Sequence, residues 1–113
     1  MLIKRIYENY ECDYGNAIEI ELVYDIGGYN IITGEEDERG YYLNIVYTSL
    51  NYYKKKKMIP FDKFFTCIVK KVKRRTEKTS EKLVKELDKN LNRIVEAYIN
   101  DDYDKIKEIV KNF

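Results

Sequence analysis

Two kinds of side chain could do chemistry in this chain. One is a contiguous acidic set, Glu35, Glu36, Asp37 and Glu38. The other is a pair of base-rich runs, Lys54–Lys57 and the KKVKRR of residues 70–75. The acids lie within GGYNIITGEEDERGYYLNI, residues 27–45. A phosphate loop would need a glycine-rich turn between a strand and a helix, with a lysine aimed at the anion. Here Gly27 and Gly28 lead into Tyr29, Asn30 and more strand-like sequence, and the nearby acids would repel a phosphate. A calcium loop needs oxygen ligands alternating within a defined frame. Contiguous acids diverge instead. Two readings remain: a solvated hairpin tip between Gly34 and Gly40, or an acidic contact surface for a basic partner.

The bases carry the stronger signal. On an alternating strand, Lys71, Lys73 and Arg75 share one face, while Lys70, Val72 and Arg74 share the other. Tyr52 and Tyr53 stand beside Lys54, Lys55, Lys56 and Lys57. Bases next to aromatics suit nucleic acid, through phosphate pairing and base stacking. No RNP-like aromatic motif, zinc-finger spacing or helix-turn-helix pattern accompanies them. An acidic patch on a partner protein is a second reading. A solvated, charged sheet edge that blocks edge-to-edge pairing is a third.

Catalytic chemistry finds little material. There is no histidine, the commonest general base and metal ligand. Cys12 and Cys67 have no CxxC spacing, and are expected as reduced thiols with Cys67 buried in a strand. Ser49 and Ser80 sit in no nucleophile elbow. Glu19 and Glu21 project from one strand face and could converge on an Arg or Lys of a neighbouring strand, but nothing marks a cleft. The expectation is a protein without catalytic residues, metal or cofactor.

The elements that must position these residues follow from periodicity. LIKRIYENYE alternates loosely and AIEIELVYDI alternates cleanly, with Ile18, Ile20, Leu22 and Tyr24 on one face. YNIIT reads as a short strand. YYLNIVYT puts Leu43, Ile45 and Tyr47 on one face. FDKFFTCIVKKVKR, with Pro60 just before it, reads as the last strand. From Thr79 or Ser80 onward the spacing becomes helical: Leu83, Leu87, Leu91, Ile94 and Tyr98 form one stripe. Asn100 can cap a second helix striped by Tyr103, Ile106, Val110 and Phe113. Strands followed by helices predict an α+β fold: an antiparallel sheet of four to five strands with two C-terminal helices packed on one face. The 113 residues fit a single domain, mainly β over 1–75 and helical over 79–113.

The net charge of +1 hides a segregation. Residues 1–53 hold three bases and ten acids, residues 54–78 eleven bases and two acids, and residues 79–113 seven bases and eight acids. Ten of the twelve tyrosines fall in residues 1–53, where wet-face tyrosines would make good interface anchors. The N-terminus has no apolar core long enough for a signal peptide, and no apolar run approaches a membrane span. The expected location is the cytoplasm.

The alternating IEIEL of Ile18–Leu22, the turn at Gly27, Gly28 and Asn30, the charged hairpin and the RGYYL of Arg39–Leu43 resemble small accessory proteins of mobile genetic elements in low-GC bacteria. Conjugative elements, plasmids and phages encode that group. The resemblance covers about a third of the chain and involves no catalytic motif. It implies a context of anti-defence factors, anti-CRISPR inhibitors among them, which are commonly non-enzymatic binders of a nucleoprotein effector. A direct DNA- or RNA-binding accessory protein is the alternative.

Overall fold

The computed structural model describes residues 1–11, 16–29, 34, 36–49 and 63–113. Four long strands form one sheet: β1 (Leu2–Glu11), β2 (Asn16–Asp25), β5 (Gly40–Ser49) and β6 (Lys63–Lys71). Their order is β1-β2-β5-β6, and every pairing is antiparallel. Between β2 and β5 the chain makes a small separate ribbon from β3 (Gly28–Tyr29) and β4 (Glu36–Asp37). Three helices follow: α1 (Glu77–Lys89), α2 (Leu91–Ile99) and α3 (Tyr103–Lys111). Among the described residues the fold is α+β, with the helices after the strands.

Alternation decides which face is dry. Across β2 and β5 the register opposes Ile20 to Ile45, Leu22 to Leu43 and Tyr24 to Tyr41. β6 continues the rows with Phe65 beside Ile45 and Cys67 beside Leu43. These residues, apart from the partly buried Phe65, join Leu83 and Leu87 of α1, Ile94, Ala97 and Tyr98 of α2, and Ile106, Ile109 and Val110 of α3 in one contiguous core. Phe65 stacks on Tyr103 of α3 with centroids 4.9 Å apart. A slip of one residue in β2 would bring Glu19 and Glu21 into this core, so the register is strongly specified.

Among the described residues the helices number three, and periodicity over 79–113 gives two. The break is at Asn90, whose Nδ2 donates to the Glu86 carbonyl at 2.9 Å. The same carbonyl also accepts from the Asn90 N–H at 3.3 Å, and Asn90 itself leaves helical geometry with φ −105° and ψ 8°. Leu87 and Ile94 stay fully buried on either side of the break. α1 starts earlier than Thr79 or Ser80: Thr76 is the cap, accepting from the Thr79 N–H at 3.2 Å. α2 ends with Asp101 in the left-handed region (φ 57°), the Asp101 N–H on Tyr98 O and the Asp102 N–H on Ala97 O. That pair of bonds is a Schellman ending. It leaves Asp102, not Asn100, to cap α3 through the Lys105 N–H. Among the described residues no helix is long and apolar enough to cross a membrane.

Candidate binding surface

The base-rich segment begins on β6 and leaves it. β6 stops at Lys71, so Lys73 and Arg75 do not share a strand face with it. They lie in the connection to α1, with a bend at Lys73 and Arg74. The reason is local. Thr76 must cap α1, and the chain needs these few residues to turn from the sheet edge onto the helix layer. Lys71, Lys73, Arg74, Arg75 and Lys78 are all exposed, and Lys70 is half-buried. A bulge also enters here. Tyr41 opposes Lys70 while Tyr42 opposes Ile68, so Val69 is the extra residue. Bulges bend a strand and increase its twist.

The acidic hairpin and this basic connection meet. Glu38 Oε2 lies 2.7 Å from Lys71 Nζ, and its carboxylate holds the Lys71 ammonium above the ordinary lysine range. The neighbouring Arg39 acts as a clasp. Its Nη1 donates to Lys73 O at 2.8 Å and its Nε to Ile26 O at 3.1 Å. Arg39 O accepts from the Val72 N–H at 3.3 Å. The Tyr42 hydroxyl donates to Glu38 O at 2.6 Å. The two segments that look electrostatically separate in sequence are tied at one corner.

At the other end of the ribbon, the Gly27 N–H donates to Asp25 Oδ1 at 2.8 Å. Gly27 and Gly28 both have positive φ (82° and 137°). That turn feeds a strand rather than a helix, so its glycines serve backbone geometry. Glu36 and Glu38 are exposed. The side chain of Asp37 and all of Glu35 lie outside the described residues, as do Lys54, Lys55, Lys56, Lys57, Tyr52, Tyr53, Pro60, Cys12 and the 30–33 part of the expected YNIIT strand.

Glu21 does find the neighbouring arginine. Arg5 of β1 reaches Glu21 Oε1 at 3.3 Å and Glu8 Oε1 at 2.6 Å. First Glu8 and then Glu21 raise the guanidinium's pKa further. These carboxylates are held as an exposed ion-pair group on the wet face. Cys67 is a free, buried thiol, and burial pushes its pKa from 9.0 to about 11.

The sequence alone assigns no binding role to Arg39, Lys78, Lys107 or Lys111. Arg39 and Lys78 adjoin the marked segments. Lys107 and Lys111 sit on α3, and only the fold brings them beside β6, where they line the same groove as Lys70 and Lys71. The one signal for them was their i,i+4 spacing. No protein-family model, curated protein or solved structure matches this chain.

Proposed function

We propose that this chain is a non-enzymatic, cytoplasmic binding protein that engages a protein or nucleoprotein complex. Its resemblance to mobile-element accessory proteins favours an inhibitor or adaptor directed at a host defence complex, in the anti-CRISPR manner. The observation that carries the reading is the cationic cluster between β6 and α1. Lys70, Lys73, Arg74, Arg75 and Lys78 lie within nine residues that contain one acid, Glu77. Among the described residues no carboxylate forms an ion pair with Lys73, Arg74 or Lys78. Neighbouring like charges repel by roughly 1 kcal/mol per close pair even in water. Edge protection alone needs only one or two lysines. A partner bearing negative charge relieves that repulsion, and the Arg39 clasp holds the cluster in one geometry for it.

The experiment compares wild type with Lys73→Gln/Arg74→Gln/Arg75→Gln and, separately, with Lys54→Gln/Lys55→Gln/Lys56→Gln/Lys57→Gln. Capture of a nucleoprotein complex from cells carrying defence systems is measured with and without nuclease. Anisotropy measures binding to bare DNA and RNA over a salt series. Capture should fall in at least one variant and weaken steeply with salt. Equally tight, salt-sensitive binding to bare nucleic acid would support the direct DNA- or RNA-binding alternative. Wild-type capture by both variants at low and high salt refutes the reading.

A further inference from the structure

The sheet ends on two unlike edges. β1 has register irregularities between Leu2 and Lys4 and between Arg5 and Tyr7. Such bulges twist an edge away from new partners. β6 pairs with β5 without a shift from Lys63 to Ile68, and its bulge at Val69 lies past that stretch. Among the described residues no strand lies on its outer side. α3 packs over β6, and between them runs a groove of about 450 Å³. Thr66 and Ile68 are among the strand residues that line it, Lys70 and Lys71 stand towards the end of that strand, and Lys107 and Lys111 come from α3. Lys107 is near enough to Cys67 for its charge to act on the thiol. Of the four lysines, only Lys71 is in an ion pair among the described residues, with the exposed Glu38.

We propose that the outer edge of β6 and the lysine-bearing side of α3 form a docking groove for an extended acidic segment of a partner protein, which adds to the sheet as a further strand. The strand edge offers backbone donors and acceptors at a fixed spacing, which is what strand addition uses for affinity. The lysines supply the selection: an incoming strand with acids on alternate residues faces Lys70, Lys107 and Lys111. Charge argues against a second copy, because β6 antiparallel to β6 over its full length would set Lys63 of each copy opposite Lys71 of the other. Nucleic acid fits less well, since among the described residues no aromatic side chain lines the groove to stack a base. The proposal shares with the preceding section the reading of the chain as a binding protein. It adds Lys107 and Lys111, which the junction cluster does not use, and so can fail separately.

The probe is a fluorescein-labelled peptide, Glu-Val-Glu-Thr-Glu-Val-Asp-Thr, titrated with the full chain by anisotropy. Its Gln/Asn counterpart should bind at least about tenfold more weakly. Lys107→Gln/Lys111→Gln should also weaken the acidic peptide about tenfold, the loss expected from two exposed charge contacts. Lys73→Gln/Arg74→Gln/Arg75→Gln should stay within about twofold, which separates this groove from the junction cluster. Two peptides N-methylated on alternate amides test strand addition: one register should lose binding. Circular dichroism melts confirm that each variant is folded. The proposal is overturned if the neutral peptide binds as well as the acidic one. It is equally overturned if both N-methylated peptides bind like the parent, or if the Lys107/Lys111 variant binds unchanged. Sedimentation that finds a wild-type dimer lost in that variant would give the groove to a second copy and also overturn it.

Discussion

Tyr41→Phe removes one hydroxyl from the point where α1 is tied to the sheet. Tyr41 is fully buried on β5, and Ser80 of α1 is 5% exposed. The Tyr41 hydroxyl lies 2.8 Å from Ser80 Oγ and 3.1 Å from Thr76 O, and Ser80 Oγ is itself 3.1 Å from Thr76 O. Two hydroxyl protons serve three short contacts, so two hydrogen bonds exist at a time. Without the tyrosine hydroxyl, Ser80 still donates to Thr76 O, and that carbonyl still accepts from the Ser80 N–H at 3.1 Å. No buried group is stranded. The expected cost is one net hydrogen bond, about 1 kcal/mol, rather than the larger penalty of an orphaned buried group. For a chain of this size that lowers Tm by about 4 °C. Ser80→Ala should cost about 0.5 kcal/mol, because alanine's helix propensity offsets part of the same loss. Proton counting makes the double variant nearly additive, at about 1.5 kcal/mol. Urea titrations with unchanged m-values measure all three. A loss above about 3 kcal/mol for Tyr41→Phe, or none at all, would refute this network.

Gly40 faces the bulge, and an added Cβ would overlap the Lys70 carbonyl oxygen; Gly40→Ala should therefore destabilise by about 1–3 kcal/mol in urea titrations. Cys67 has its pKa raised from 9.0 to about 11, so the unfolded chain loses this proton first as pH rises. Stability should then fall between about pH 9 and 11, and Cys67→Ala should flatten that part of the melting profile. The same thiol should react with Ellman's reagent at neutral pH only as fast as the protein opens. Replacing Glu35, Glu36, Asp37 and Glu38 together with Ser should leave Tm within about 2 °C. If partner capture falls while Tm holds, the hairpin is a contact surface; unchanged capture makes it solvated.

The long strands were legible because one face is dry. Ile18, Ile20, Leu22 and Tyr24 alternate with polar residues except at Val23, and the observed β2 spans nearly the same residues. The sequence pattern overruns β6 by three residues at its C-terminal end, because lysine and valine alternation continues through Lys73. Alternation cannot reveal that Thr76 must cap a helix. The helical stripe was legible for the same reason as the strands, since Leu83, Leu87 and Ile94 are all buried. The interruption at Asn90 was not, because it leaves the stripe intact. It is a single residue, Asn90, that departs from helical φ and ψ while the bonds on either side persist.

The candidate surface was legible only along the chain. Counting charges by segment separates an acidic N-terminal half from a basic stretch of twenty-five residues and suggests two remote surfaces. Chain topology reverses that inference at one corner. β5 pairs with β6, so the residues entering β5 must lie beside those leaving β6: Gly40 opposes Lys71. Glu38 and Arg39 are thereby delivered to Lys71 and Lys73, whatever their distance in sequence. The same adjacency separates the bases into two groups. Lys71 is partly neutralised by Glu38, while Lys73 and Arg74 lie past the clasp, with no ion pair among the described residues. Arg39 uses its guanidinium on backbone carbonyls, and among the described residues it is in no ion pair. It therefore fixes the shape of the corner without cancelling its charge. A substitution of Arg39 by Lys keeps the charge and loses the forked reach to Ile26 O and Lys73 O. Binding that depends on the corner's geometry should fall in that variant, and binding that depends on net charge alone should not.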